Sequence, residues 1–103
     1  MRKRTIVIDV SVNEEIVRIT DYIENQYSAP LAAEKFVYDF WAFIAFIGRH
    51  PEIYPLNHYN QLRTYGSSGL RRTVFRNKWV ILYEMDDDFV YVKKILHTSL
   101  IID

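Results

Sequence analysis

Residues 70–96 set the first constraint on the fold. Three strand-length runs, 70–75, 79–85 and 89–96, are rich in β-branched and aromatic residues. Only Arg76-Asn77-Lys78 and Asp86-Asp87-Asp88 separate them. Connections this short dictate antiparallel pairing, because a parallel return needs a crossover of about a dozen residues or more. The C-terminal part of the chain is therefore predicted to be an antiparallel meander. Such a meander has an apolar face to cover, and the cover has to come from the residues before it.

Residues 4–10, RTIVIDV, read as a short strand with Ile6, Ile8 and Val10 on one face. Ser11 stands three residues before Glu14, the spacing of a capping box, in which each side chain satisfies an amide the first turn leaves open. Val12, Ile16, Ile19, Ile23 and Tyr27 follow at helical spacing, which predicts a helix over residues 12–26. YSAP breaks it. Ser28 or Ala29 is a candidate cap for a second helix, with Pro30 in its first turn, where the missing amide costs nothing. Ala32, Ala33, Phe36, Val37, Phe40, Phe43, Ile44 and Ile47 form its apolar stripe, and Gly48 is its expected C-terminal cap. The short link implies an antiparallel helical hairpin. Residues 49–69 show no period and are punctuated by Pro51, Pro55, Gly66 and Gly69, so a long surface loop is expected. The predicted order is β-αα-βββ: an α+β fold with the helical hairpin packed on an antiparallel sheet. At 103 residues, one domain over 1–103 is expected.

Alternation sorts the strand residues into two sets. Leu70, Val74, Val80, Leu82, Val90, Val92 and Leu96 are aliphatic and are expected against the helices. The opposite set holds Arg71, Thr73, Phe75, Trp79, Ile81, Tyr83, Tyr91, Lys93, Ile95 and His97. Rings and cations on one face suit an RNA-binding or protein-binding surface. The competing expectation is that the aromatics simply pack across strands.

Charge is segregated although the formal sum is zero. Between Ser11 and Gly48, Glu14, Glu15, Asp21, Glu24, Glu34 and Asp39 face only Arg18 and Lys35. Between Ile53 and Tyr83 there is no acid at all, and Arg71, Arg72, Arg76 and Lys78 cluster there. These cations are read as reserved for an external anionic partner. Structural ion pairs with acidic helix residues are the alternative. The target- or anion-binding candidates are thus Arg71, Arg72, Arg76, Lys78, Trp79, Tyr83 and Tyr91.

Several classes of function are excluded or left without support. The chain has no cysteine, which removes disulfides, thiol catalysis and Cys-ligated zinc. His50, Glu52 and His58 lack metal-ligand spacing, and Asp86-Asp87-Asp88 reads as a solvated turn, so no metal site is expected. There is no Gly-rich phosphate loop and no nucleophile elbow, and no cofactor is expected. The start, MRKRTIVIDV, has too short an apolar run for a signal peptide, and no stretch reaches the ~18 apolar residues of a membrane span. A cytoplasmic protein without membrane contact is expected. The apolar end, HTSLIID, is expected to pack on the body.

The ordered features, IVRITDYI, then FIGRHPEIYP, then LRRTVFRNKWVILYEMDDDFVYVKKILH, resemble the RelE/ParE superfamily of bacterial toxins over nearly the whole chain. The resemblance implies a β-αα-βββ fold and the toxic half of a type II toxin–antitoxin, or plasmid-stabilisation, module. It also implies growth inhibition relieved by a cognate antitoxin that wraps the toxin. Family members either cleave messenger RNA on the ribosome or poison DNA gyrase. Cleavage by attack of a 2′-hydroxyl needs a base, a phosphate clamp and an acid for the leaving group. Arg71 and Lys93 are the candidate clamps and His97 the candidate proton carrier. Many RNA-cleaving members carry an arginine three residues before the tyrosine that matches Tyr83, where this chain has Val80. They also commonly carry a tyrosine or arginine just after the final histidine, where this chain has Thr98, Ser99 and Leu100. The departures favour a ParE-like, non-nuclease action. The alternatives are a ribosome-dependent endoribonuclease and a non-toxic, degenerate binding module.

Overall fold

A computed structural model describes residues 4–101. The basic start through Lys3 and the last two residues of the apolar tail lie outside the described residues.

The strand β1 (Thr5–Ile8) leads into α1 (Val10–Tyr27) and α2 (Pro30–Arg49). A 3-10 turn (Asn60–Tyr65) precedes β2 (Arg71–Phe75), β3 (Trp79–Met85) and β4 (Phe89–His97), and a second 3-10 turn (Thr98–Leu100) closes the chain. The element order is the one the sequence predicts. The meander is antiparallel, and β1 adds to it in parallel alongside β4, giving a mixed sheet ordered β1-β4-β3-β2. The two helices pack on this sheet.

Local chemistry explains the helix limits, with two corrections. The α1 cap is Asp9, whose carboxylate accepts from the Ser11 amide at 3.0 Å, so the helix starts before the Ser11–Glu14 box. Ser28 ends it in the left-handed region, at φ 50°. Gly48 is not a cap but a buried residue inside α2, which runs on to Arg49. A Cβ there would meet Ile6 Cδ1 at 2.7 Å, so glycine lets α2 sit close to β1.

The face assignment needs the larger correction. The helices cover Phe75, Ile81, Tyr83 and Ile95, together with Val90 and Val92. Leu70, Val80 and Leu82 lie on the other side, in a second cluster with Leu62. Two causes combine. Leu82 pairs with Lys94 but Tyr83 pairs with Val92, so Lys93 is an extra residue and parity reverses along β4. In addition, residues 49–69 are a packed cover, not a surface loop. Leu62 is 1 % exposed, and Tyr59, Tyr65, Leu96 and Ile101 pack around its cluster. The sheet is thus buried on both faces where β3 passes through its middle, and Val80, Ile81, Leu82 and Tyr83 are all buried. The uninterrupted apolar run WVILY is the sequence mark of such a strand.

The β2–β3 connection is a tight turn. Lys78 N donates to Phe75 O at 3.2 Å, and Arg76 and Asn77 take φ of 53° and 60°. Two left-handed central residues make it a type I′ turn, whose twist matches that of the flanking strands.

Candidate functional site

The structure separates the cationic candidates by what they touch. Arg71 Nη1 donates to Tyr54 O at 2.7 Å and to Glu52 O at 3.4 Å, tying β2 to the 49–69 segment. The Arg72 guanidinium lies 4.4 Å from the centroid of the Tyr59 ring, and its Nε is buried without a hydrogen-bond partner. Tyr83 is fully buried, and its hydroxyl donates to Pro51 O at 2.7 Å. Burial pushes the Tyr83 hydroxyl up to about 12. These residues fasten the outer cover to the sheet.

Tyr91 and Lys93 are engaged elsewhere. The Tyr91 hydroxyl donates to Asp86 Oδ2 at 2.8 Å. Lys93 Nζ lies 3.7 Å from Glu84 Oε2, and Glu84 Oε1 accepts from the Ser67 amide at 2.8 Å. Burial raises the Glu84 pKa, but the Ser67 hydrogen bonds and Lys93 more than offset it and hold the carboxyl below its usual range.

Arg76, Lys78, Trp79 and His97 do come together. They line a cleft of about 690 Å³ between α1 and the end of the sheet. Trp79 and His97 are directly opposite each other on β3 and β4, with ring centroids 5.0 Å apart in an edge arrangement. Trp79 also meets the Phe36 ring edge-on at 6.2 Å. The ring nitrogen Nδ1 of His97 accepts from the Ser99 amide at 3.1 Å and lies 2.7 Å from the Ser99 hydroxyl. An amide can only donate, so in the neutral ring the proton sits on Nε2.

Arg76 is not left unpaired, contrary to the reading of the sequence. Its guanidinium donates to Asp39 Oδ2 on α2 at 2.6 Å and lies 5.2 Å from the Phe36 ring centroid. The Arg76 hydrogen bond, joined by that of Lys35, holds the Asp39 carboxyl below its usual range. Lys78 is exposed and has no acidic partner among the described residues.

Helix α1 supplies the opposite wall, which sequence reasoning missed. Glu15, Arg18, Tyr22 and Tyr27 line the cleft, and Arg18 is paired with Glu15 one turn away. Tyr22 and Tyr27 are 55 % and 67 % exposed, with ring centroids 5.6 Å apart. Their signal was present: Arg18 and Tyr22 are four residues apart beside the Ile16–Ile19–Ile23 stripe. Tyr27 continues the spacing of that stripe but faces solvent at the helix end.

Chemically, the cleft offers apolar and aromatic walls with cations at its rim, an arrangement suited to binding. The three catalytic candidates do not converge. Arg71 pairs across from Tyr83, whereas His97 pairs across from Trp79. The stretch of β3 between those positions spans roughly 13 Å. Lys93 pairs with Glu84 on β3, whose carboxylate also accepts from the Ser67 amide. Among the described residues no group of three His, Cys, Asp or Glu side chains is placed to hold a metal ion, and no helix is long and apolar enough to cross a membrane.

Compared with known protein families, residues 6–101 match the model described as the ParE toxin of the type II toxin–antitoxin system parDE. No curated protein matches the chain.

Proposed function

The chain belongs to the ParE toxin family of type II toxin–antitoxin systems, and on that premise we propose that it arrests growth by binding an essential protein target, with DNA gyrase the first candidate, and is held inactive by a cognate antitoxin. The observation that carries a non-catalytic action is the dispersal of Arg71, Lys93 and His97. Cleavage of RNA needs its base, clamp and acid around a single phosphate, within hydrogen-bond reach of the reacting atoms. Here Arg71 is tied to the segment that covers the sheet, and Lys93 is paired with Glu84 on β3. A protein-binding toxin makes no such demand, and it gains from exposed rings flanked by cations.

One observation favours a second reading, ribosome-dependent cleavage of messenger RNA. His97 shares the cleft with Arg76 and Lys78, so an imidazole and two cations line one concavity. Controlled induction of the chain alone tests both, with primer extension on transcripts and supercoiling measured on purified gyrase. Arrest with inhibited supercoiling and no new transcript ends is the expected result. New codon-positioned ends would establish the nuclease instead. Uninterrupted growth with soluble protein would favour a non-toxic binding module.

A further inference from the structure

We propose that the outer face of α2 is a self-association surface, on which a second copy of this chain docks antiparallel about a two-fold axis between Trp41 and Ala42. The inference goes beyond the toxin reading and does not depend on it.

A helix lying on a sheet needs one apolar stripe. In α2 that stripe is Phe36, Phe40, Ile44 and Ile47, all buried. Its solvent side is then expected to be polar. Instead Tyr38, Trp41, Ala42 and Ala45 recur there at helical spacing. Tyr38 is 76 % exposed and Trp41 36 %. Beside them a groove of about 770 Å³ opens between α1 and α2, with Ala33 and Val37 in its lining. The helix thus presents a second apolar stripe, and no element of its own chain covers the two rings.

The order of residues along this face points to the occupant. In an antiparallel pair of identical helices, positions equally far from the axis on either side face each other, and every contact occurs twice. An axis between Trp41 and Ala42 sets Trp41 against Ala42, Tyr38 against Ala45 and Glu34 against Arg49. Each pairing is complementary. A ring meets an alanine twice over, so the small residues admit close approach and the large ones fill the space between the helices. A carboxylate meets a guanidinium at each end. The antiparallel arrangement also places opposite ends of the two helix dipoles side by side.

Charge excludes a simpler explanation. Glu34 and Arg49 are both exposed, and neither has an ionic partner among the described residues. They lie about 22 Å apart along one helix, so they cannot pair within a chain. An acidic partner would suit only the Arg49 end of the face, and a basic partner only the Glu34 end. A second copy satisfies both.

The test uses the full chain made by cell-free synthesis, followed by sedimentation velocity over about 1–200 μM, since association follows mass action. The parent should pass from monomer to dimer as concentration rises. Glu34→Arg and Arg49→Glu should each weaken the dimer at least about tenfold, because each sets like charges opposite each other twice. The double variant Glu34→Arg/Arg49→Glu should regain parental association. An equimolar mixture of the two single variants should form a heterodimer, in which both charge pairs are restored. Arg63→Glu, in the turn that covers the other face of the sheet, should leave the dimer unchanged and should not rescue Glu34→Arg on mixing. Both α2 substitutions are at exposed positions, so circular dichroism should match the parent. A chain that stays monomeric throughout would overturn the proposal and leave the face to another molecule. A dimer insensitive to the single reversals would place the contact elsewhere. Weakening by both reversals without rescue in the double variant or the mixture would overturn the antiparallel pairing.

Discussion

Arg76, in the β2–β3 turn, donates to the carboxylate of Asp39 in the middle of α2 at 2.6 Å. The contact closes 37 residues of chain and fixes one wall of the cleft. It also makes stability at this point sensitive to acid. The Asp39 pKa is held below its ordinary value of 3.8 by Arg76 and Lys35. A depressed carboxylate contributes fully above its unfolded pKa and loses that contribution as pH falls through the folded one. Asp39→Asn should therefore lower the urea midpoint at neutral pH, and the difference from the parent should shrink below about pH 4. A difference independent of pH would show that the carboxylate charge is not what matters there.

Tyr83 tests the attachment of the outer cover. Its buried hydroxyl donates to Pro51 O at 2.7 Å. Tyr83→Phe keeps the ring but leaves that carbonyl without its donor, and should cost about 1–2 kcal/mol in chemical denaturation.

The same hydroxyl predicts behaviour in alkali. Its pKa of about 12 exceeds the ordinary 10.0 because burial disfavours the phenolate. Here the neutral form is favoured by folding, so the contribution is complete below the unfolded pKa and is lost as pH rises through the folded one. Ultraviolet titration should show the Tyr83 phenol ionising near pH 12 or only upon unfolding. In Tyr83→Phe that late component should vanish.

Leu62 tests whether residues 49–69 belong to the body. Its side chain is 1 % exposed and packs with Leu70, Val80 and Leu82. Leu62→Ala should destabilise by about 2–4 kcal/mol. An exposed loop residue would show less than about 0.5 kcal/mol.

His97 and Lys93 test the absence of chemistry. With a protein-binding mode of action, His97→Ala and Lys93→Ala should each retain growth arrest at matched soluble expression. Loss of arrest in both, with their folding unchanged, would restore the nuclease reading.

The order of elements was legible in the sequence because it rests on local signals. Helical spacing in Val12–Ile16–Ile19–Ile23, Pro30 at a helix start and the short connectors at 76–78 and 86–88 involve residues only a few positions apart. Asp9 took the cap from Ser11 because both are capping residues, and their competition is decided by geometry. The faces of the sheet were not legible. Alternation assumes unbroken pleating and one covered side, whereas the extra residue at Lys93 reversed the parity of β4 and Leu62 covered the second face.

The cleft shows the same division. Trp79 and His97 stood out as residue types on strands and Arg76 and Lys78 in the turn beside them, and the tight turn with a cross-strand pair kept them together. Which of their charges stay available was a tertiary matter. Asp39 comes from a helix far along the chain, and Arg18, Tyr22 and Tyr27 reach the cleft only because α1 folds back over β4. Sequence by itself determined which elements form, since that depends on the periods of side-chain pattern and on turn chemistry. Tertiary structure decided which cations are neutralised and which rings face solvent, since Coulomb attraction and burial act between groups that only the folded chain brings within reach.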